Sequence, residues 1–358
     1  MASHPERSSS SSLDLPSEAA PFNPSASFGS TAEPPSSPSM ASSPLMPSSS
    51  PPMGSSPILA PSSPLEPPDL ELPTSSVTTQ SQAQHQRIVI LGATGNQGRG
   101  TVHALLSSKH RANFHLAALV RNPTSPASLA LSSHSSGIPL LVADYSSPAT
   151  LLSAFTAFQP TTIFFPPILS DDFALDLSYV QNVITAARQC PSLKSFIVST
   201  ALGTDRRAEF SGWGTNGEWY PMGSYWRTKA EIEQLVKEAG FESWTVVRPG
   251  WFLHSLTLRM VGWSYLGFRE GEEVRTIRTA WRRGAKVAWV DAEDVGVVVR
   301  AVVEDEDGKK YRNRGVDLAV EAVTVGELAR KMARVLGEEV RVLYAEEEQS
   351  NAILQSIQ

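Results

Sequence analysis

The sequence predicts an α/β fold: a doubly wound parallel sheet with a small C-terminal α/β lobe, preceded by a disordered N-terminal tail. Three observations predict it. The apolar run Arg87-Ile88-Val89-Ile90-Leu91 passes directly into glycines at positions 92, 95 and 98. Strand-length apolar runs then alternate with helical spacing, the pattern of parallel strands joined by right-handed crossovers. Residues 1 to about 80 hold 17 of the 27 prolines and carry no sustained apolar periodicity. A segment of that composition buries too little surface to offset its ordering entropy.

The tail also holds the charge. It sets Arg7 against seven carboxylates, a balance of −6 that equals the net charge of the whole chain. The folded body is therefore neutral, which argues against direct nucleic-acid binding through bulk charge. Residues 1–12 lack the basic start and apolar core of a secretory signal. No apolar run reaches the ~18 residues of a membrane span. Cys190 is the single cysteine and the seven histidines are scattered, so no metal site is expected. A cytoplasmic location is expected, with the nucleus as the alternative. The Ser-Pro pairs read equally well as phosphate acceptors or as a spacer.

The boundaries that follow are a tail over 1–84, a nucleotide-binding domain over 85–345 and a C-terminal segment over 346–358. Strands are predicted at 87–91, 116–120, 139–143, 161–165, 195–199 and 244–248. A first helix starts near Thr101. Leu177, Val180, Ile184 and Ala187 give helical spacing to 175–189, and Ile232, Leu235, Val236 and Ala239 do so for 224–239, which Gly240 stops. Farther on come a strand at 286–290, a helix at 292–303, a strand at 316–320, a helix from the capping box Thr324-Val325-Gly326-Glu327 to Leu336, and a last strand at 340–343. The substrate lobe draws mainly on 205–223 and 250–345.

Strand, glycine turn and helix start together form a dinucleotide pyrophosphate site in a Rossmann-like sheet. Glycine lets the backbone approach the phosphates, and the helix amides and dipole stabilise their charge. Gly92, Thr94, Gly95, Asn96, Gln97 and Gly98 are the contacts expected there. An acid at the end of the second strand would bind the ribose 2′-OH of NAD; here Arg121 stands in that place, and Arg99 follows the third glycine. A guanidinium suits a 2′-phosphate, so the cofactor is read as NADP(H), with NAD as the alternative. Asp144, after the third strand, is read as an acceptor for the adenine amine.

The candidate chemistry lies in Ser224-Tyr225-Trp226-Arg227-Thr228-Lys229. Tyr225 and Lys229 are four apart and share one helix face. A neighbouring ammonium lowers the pKa of a phenol, which favours Tyr225 as a proton donor to a carbonyl during hydride delivery. Lys229 also suits the nicotinamide ribose. Ser199 and Thr200, at the C-terminal end of the fifth strand, are placed to polarise the same oxygen, at the edge where open α/β sheets bind ligands.

These pieces resemble the NmrA-like branch of the short-chain dehydrogenases/reductases. The resemblance is carried by residues 88–102, 118–122 and 195–203, and above all by 225–252. The last runs from Tyr225-Trp226-Arg227-Thr228-Lys229 through the strand to Arg248-Pro249-Gly250-Trp251-Phe252. Asp294-Val295-Gly296 matches a later motif of the family. The resemblance implies a nicotinamide site, with Pro249 of the Arg-Pro-Gly loop among its contacts. It also implies one of two roles. One is a reductase of a small carbonyl, quinone or aromatic metabolite, with Tyr225, Lys229 and Ser199 catalytic. The other is a non-catalytic NAD(P)-sensing regulator that acts through protein–protein contacts. A sugar-nucleotide epimerase is a third and weaker reading. Segment 205–223 departs from the family pattern; its Trp213, with Trp251, Phe252 and His254, is expected to line the substrate.

Overall fold

The computed structural model describes residues 85–344, apart from 134–136, 169, 171, 211–212, 214–222, 257–272, 280 and 306. The predicted tail (1–84) and C-terminal segment (346–358) lie outside the described residues.

The main sheet has seven parallel strands: β1 (Gln86–Ile90), β2 (Phe114–Val120), β3 (Leu140–Val142), β4 (Thr162–Phe165), β5 (Ser195–Ser199), β6 (Ser243–Pro249) and β10 (Arg314–Leu318). Their order is β10-β6-β5-β4-β1-β2-β3. The chain winds outward from β1 in one direction and from β4 in the other, so the switch between β1 and β4 opens the crevice where such sheets bind ligands.

The central strands read as apolar runs because both sheet faces are covered there. Successive side chains alternate between faces. Ile88 and Ile90 pack with Leu105, Phe164, Ile197 and Val299 under α1 (Asn96–Leu106) and α6 (Ala292–Val303). Val89 and Leu91 pack with Phe155, Phe165, Val180, Val198 and Val236 under α3 (Pro148–Phe158), α4 (Phe173–Arg188) and α5 (Gly223–Glu238).

The Asp-Val-Gly motif has a packing reason. A Cβ at Gly296 would stand 2.3 Å from the Gly100 carbonyl oxygen, and one at Gly100 would stand 2.8 Å from Glu293 Cα. The two glycines let α1 and α6 touch backbone to backbone.

The smaller lobe combines a three-stranded sheet, β11 (Glu321–Thr324), β9 (Lys286–Val290) and β7 (Trp251–Phe252), with a parallel pair, β8 (Arg275–Thr279) and β12 (Val340–Tyr344). Helix α7 (Val325–Leu336) covers it and carries the predicted capping box, in which Thr324 and Glu327 satisfy each other's backbone amides. Ile277, Trp289, Val323, Val325 and Leu328 form its core.

The structure adds α2 (Pro126–Ser132), α3, β7, β8 and β11 to the predicted elements and moves the strand at 316–320 to β10. Helix α1 begins at Asn96 rather than near Thr101, so the second half of the glycine turn is already helical.

Candidate functional site: a glycine turn and a tyrosine–lysine helix

Gly92 lies in the turn after β1 at φ +59, in the left-handed region that favours glycine. The Gly95 amide donates to the Gly92 carbonyl at 2.9 Å and closes the turn. A Cβ at Gly98 would lie 2.1 Å from that same carbonyl oxygen, so the third glycine lets the helix start press against the strand end. Gly95 is the N-cap of α1 and no side chain caps the helix. The first-turn amides therefore face outward, as an anion site requires.

This turn forms one wall of a cavity of about 420 Å³. Thr94, Asn96 and Gln97 line it together with the glycines, and Arg121 and Asp144 close it from the ends of β2 and β3. Pro166 and Pro167, after β4, supply an apolar wall. Gln97 carries a buried Oε1 with no hydrogen-bond partner among the described residues. Glycine backbone, helix amides and a guanidinium at the rim are the donors that the phosphates of a dinucleotide require, the buried Gln97 Oε1 offers an acceptor beside them, and the residues fit that group. Asp144 accepts hydrogen bonds from the Ser146 hydroxyl and amide, which hold its carboxyl below the usual range, with Arg121 adding to the effect. Arg99 does not line the cavity; it is exposed and donates to Asn96 at 2.8 Å. Pro249 is also away from it, buried at the end of β6, where its carbonyl accepts from the Leu202 amide.

Tyr225 and Lys229 lie on α5. Lys229 Nζ is 5.5 Å from the centre of the Tyr225 ring, a cation–π contact. Lys229 is only 6% exposed, and burial lowers its pKa to about 8, opposed by the charge of Asp176 on α4. The expected lowering of the Tyr225 pKa is reversed here: burial of the phenol pushes it up, so Tyr225 holds its proton throughout the neutral range. Ser199 is buried, and its Oγ has no partner among the described residues. The three do not line the 420 Å³ cavity. Segment 214–222, just before Tyr225 in sequence, lies outside the described residues.

A family model for the NmrA-like family matches residues 84–357. The chain belongs to the NmrA-like family. It is similar to an NmrA-like family domain-containing oxidoreductase of Penicillium ochrochloron, 25% identical over 267 residues that span 71% of this chain and 74% of the relative. Its fold is similar to that of an NADPH-dependent quinone oxidoreductase of Escherichia coli solved with NADPH (TM-score 0.54, 21% identity, 75% of this chain and 87% of the other). It is also similar to NmrA, a negative transcriptional regulator, solved with NADP (TM-score 0.60, 16% identity, 76% and 81%) and separately with NAD.

The residues of this NmrA-like chain expected to line the substrate part company. Strand alternation explains it: Phe252 packs toward the main domain and Trp251 into the core of the small lobe, edge-on to Trp281. Phe252 and His254 line the cavity, stacked at 4.9 Å, and burial lowers the His254 pKa. Trp251 does not line it, nor does Thr200, whose hydroxyl donates to Glu233 at 2.9 Å. Trp213 meets Phe210 edge to face, Phe210 meets Trp226, and Trp226 meets Tyr225, so aromatic contacts run from segment 205–213 to the candidate catalytic helix. Trp219 lies outside the described residues.

Sequence reasoning missed Tyr145, Tyr179 and Asp176. The two tyrosines line the cavity, their rings 6.3 Å apart, and the Tyr145 hydroxyl is bonded by the Gly92 backbone. Asp176 is buried and accepts from the Ser170 amide and hydroxyl at 2.8 and 2.9 Å. No pattern marked them, because each lies far in sequence from the group it serves. Among the described residues no cluster suits a metal ion, and no helix is long and apolar enough to cross a membrane.

Proposed function

We propose that the protein is an NADP(H)-dependent reductase of a small carbonyl, quinone or aromatic metabolite. The observation that carries this reading is the buried Lys229 cation over the ring of Tyr225. Both stand on the helix that leaves the C-terminal edge of the sheet, the edge that also presents the glycine turn. With its pyrophosphate held at that turn, the dinucleotide would supply the hydride from its nicotinamide. Tyr225 Oη keeps its proton at neutral pH and gives it to the substrate oxygen as hydride reaches the neighbouring carbon. Lys229 stabilises the phenolate left behind, and Ser199 Oγ, with no partner among the described residues, holds the substrate oxygen. Arg121 selects the 2′-phosphate of NADP(H).

A second reading, a non-catalytic NAD(P)-sensing regulator acting through protein–protein contacts, draws on the fold likeness to NmrA (TM-score 0.60). NADPH consumption across a panel of quinones and aldehydes tests the two. Turnover supports the reductase. Tight cofactor binding without turnover, joined to cofactor-dependent capture of a partner protein, supports the regulator.

A further inference from the structure

Behind Tyr225 and Lys229 lies a buried guanidinium–carboxylate pair, reached by partners from the surface, that the proposed chemistry does not use. Glu233 is 1% exposed and Arg248 is 6% exposed. Arg248 Nε donates to Glu233 Oε1 and its second terminal nitrogen to Oε2, both at 2.8 Å, a side-by-side guanidinium–carboxylate pair. The same carboxylate accepts from Thr200 Oγ1 at 2.9 Å and from Lys237 Nζ at 3.2 Å. The remaining Arg248 nitrogen donates to Asp205 at 2.8 Å and to Asp317 at 3.4 Å. Gly315 makes room for it, since a Cβ there would lie 2.3 Å from that nitrogen. One guanidinium thus ties β6 to α5, to the turn after β5 and to β10, and its partner Glu233 adds the end of β5 through Thr200.

The spacing connects this set to the site. Glu233, Lys229 and Tyr225 recur every four residues, on one face of α5. At 1.5 Å per residue, Lys229 lies about 6 Å and Tyr225 about 12 Å beyond Glu233 along the helix axis. Thr200 is the residue after Ser199, and Asp205 lies in the first part of the turn (Thr204–Glu209) that leads to Phe210 and Trp213. Two of the three partners of Arg248, Glu233 and Asp205, therefore hold both sides of the proposed site, the proton-donating helix and the aromatic segment beside it.

We infer that Arg248 and Glu233 are positioning residues, which fix the depth of α5 against β5 so that Lys229 and Tyr225 meet Ser199 at the sheet edge. Lysine at 248 keeps the charge but loses the fork, and an apolar pair of similar volume keeps the packing but loses the directional bonds.

Turnover rests on the reductase reading; the titration of Lys229 does not. Acetylation of Lys229 as a function of pH, followed by peptide mass spectrometry, reports its surroundings whether or not the protein turns anything over. Those surroundings are Asp176 on α4 and Tyr225 on α5. Arg248→Lys, Glu233→Gln and the double variant Glu233→Leu/Arg248→Met are compared with the wild type, each verified as folded by its melting curve. The double variant decides if the single variants unfold. The midpoint of Lys229 is expected to rise from about 8 in the wild type toward the ordinary lysine value of 10.5. NADPH affinity, set at the glycine turn, stays within about threefold, and kcat falls about tenfold or more with a smaller change in KM. A folded variant with the wild-type Lys229 midpoint and wild-type kcat overturns the assignment. A shifted midpoint in a protein with no measurable turnover keeps the assignment and removes the reductase reading.

Discussion

Lys229 holds its ammonium 5.5 Å from the centre of the Tyr225 ring, inside a helix face that solvent barely reaches. Burial moves the two groups in opposite directions: the lysine falls to about 8 and the tyrosine rises. The phenol keeps a proton to give, and the lysine sits near its own titration point.

Stability should record the lysine. Between about 8 and 10.5 the unfolded chain binds a proton at Lys229 that the folded chain does not, so stability rises with pH across that window. The raised Tyr225 works in the opposite sense, but only above its ordinary value of 10. Urea unfolding from pH 8 to 10 should show the wild type gaining stability relative to Lys229→Met. Parallel curves for the two proteins would mean that Lys229 is an ordinary, solvated lysine.

At the glycine turn, Gly98→Ala forces a Cβ within 2.1 Å of a backbone carbonyl that no side-chain adjustment relieves. The variant should lose about 3 kcal/mol or more of stability and bind NADPH at least tenfold more weakly. Gly296→Ala should destabilise comparably by separating α1 from α6, because its Cβ meets the Gly100 backbone at 2.3 Å. Chemical denaturation checks both, and wild-type midpoints would show that the helices have room to spare.

Cofactor choice should lie with Arg121. Arg121 lines the cavity near Asp144, whereas Arg99 does not line it and is committed to Asn96. Arg121→Glu is expected to weaken NADP(H) binding by roughly 10- to 100-fold and to leave NAD(H) nearly unchanged. Calorimetric titration with each cofactor checks this. An unchanged preference would move the selecting residue elsewhere.

The sheet was legible because its strands are buried on both faces and read as apolar runs, as Ile88–Ile90 and Phe164–Phe165 do. Helices α2 and α3 were missed although each starts with Ser followed by Pro, Ser125-Pro126 and Ser147-Pro148, a recognised helix-start signal. In the site, the glycine turn was readable because the whole motif is local. Strand β7 was not, being two residues long, and it divides Trp251 from Phe252 between two cores. The Arg248 set was invisible for another reason. Its partners lie 15, 43 and 69 residues away in sequence, and only the winding of the sheet brings them together.

The reductase reading meets its most direct test in NADPH oxidation by the wild type and by Tyr225→Phe over a panel of quinones and aldehydes, with NADPH affinity measured alongside. The expected result is turnover by the wild type, a loss of about 100-fold or more in kcat for Tyr225→Phe, and cofactor binding within about threefold of wild type. Undiminished turnover in Tyr225→Phe would contradict the role of Tyr225. Cofactor binding with no turnover by the wild type would contradict the reductase itself.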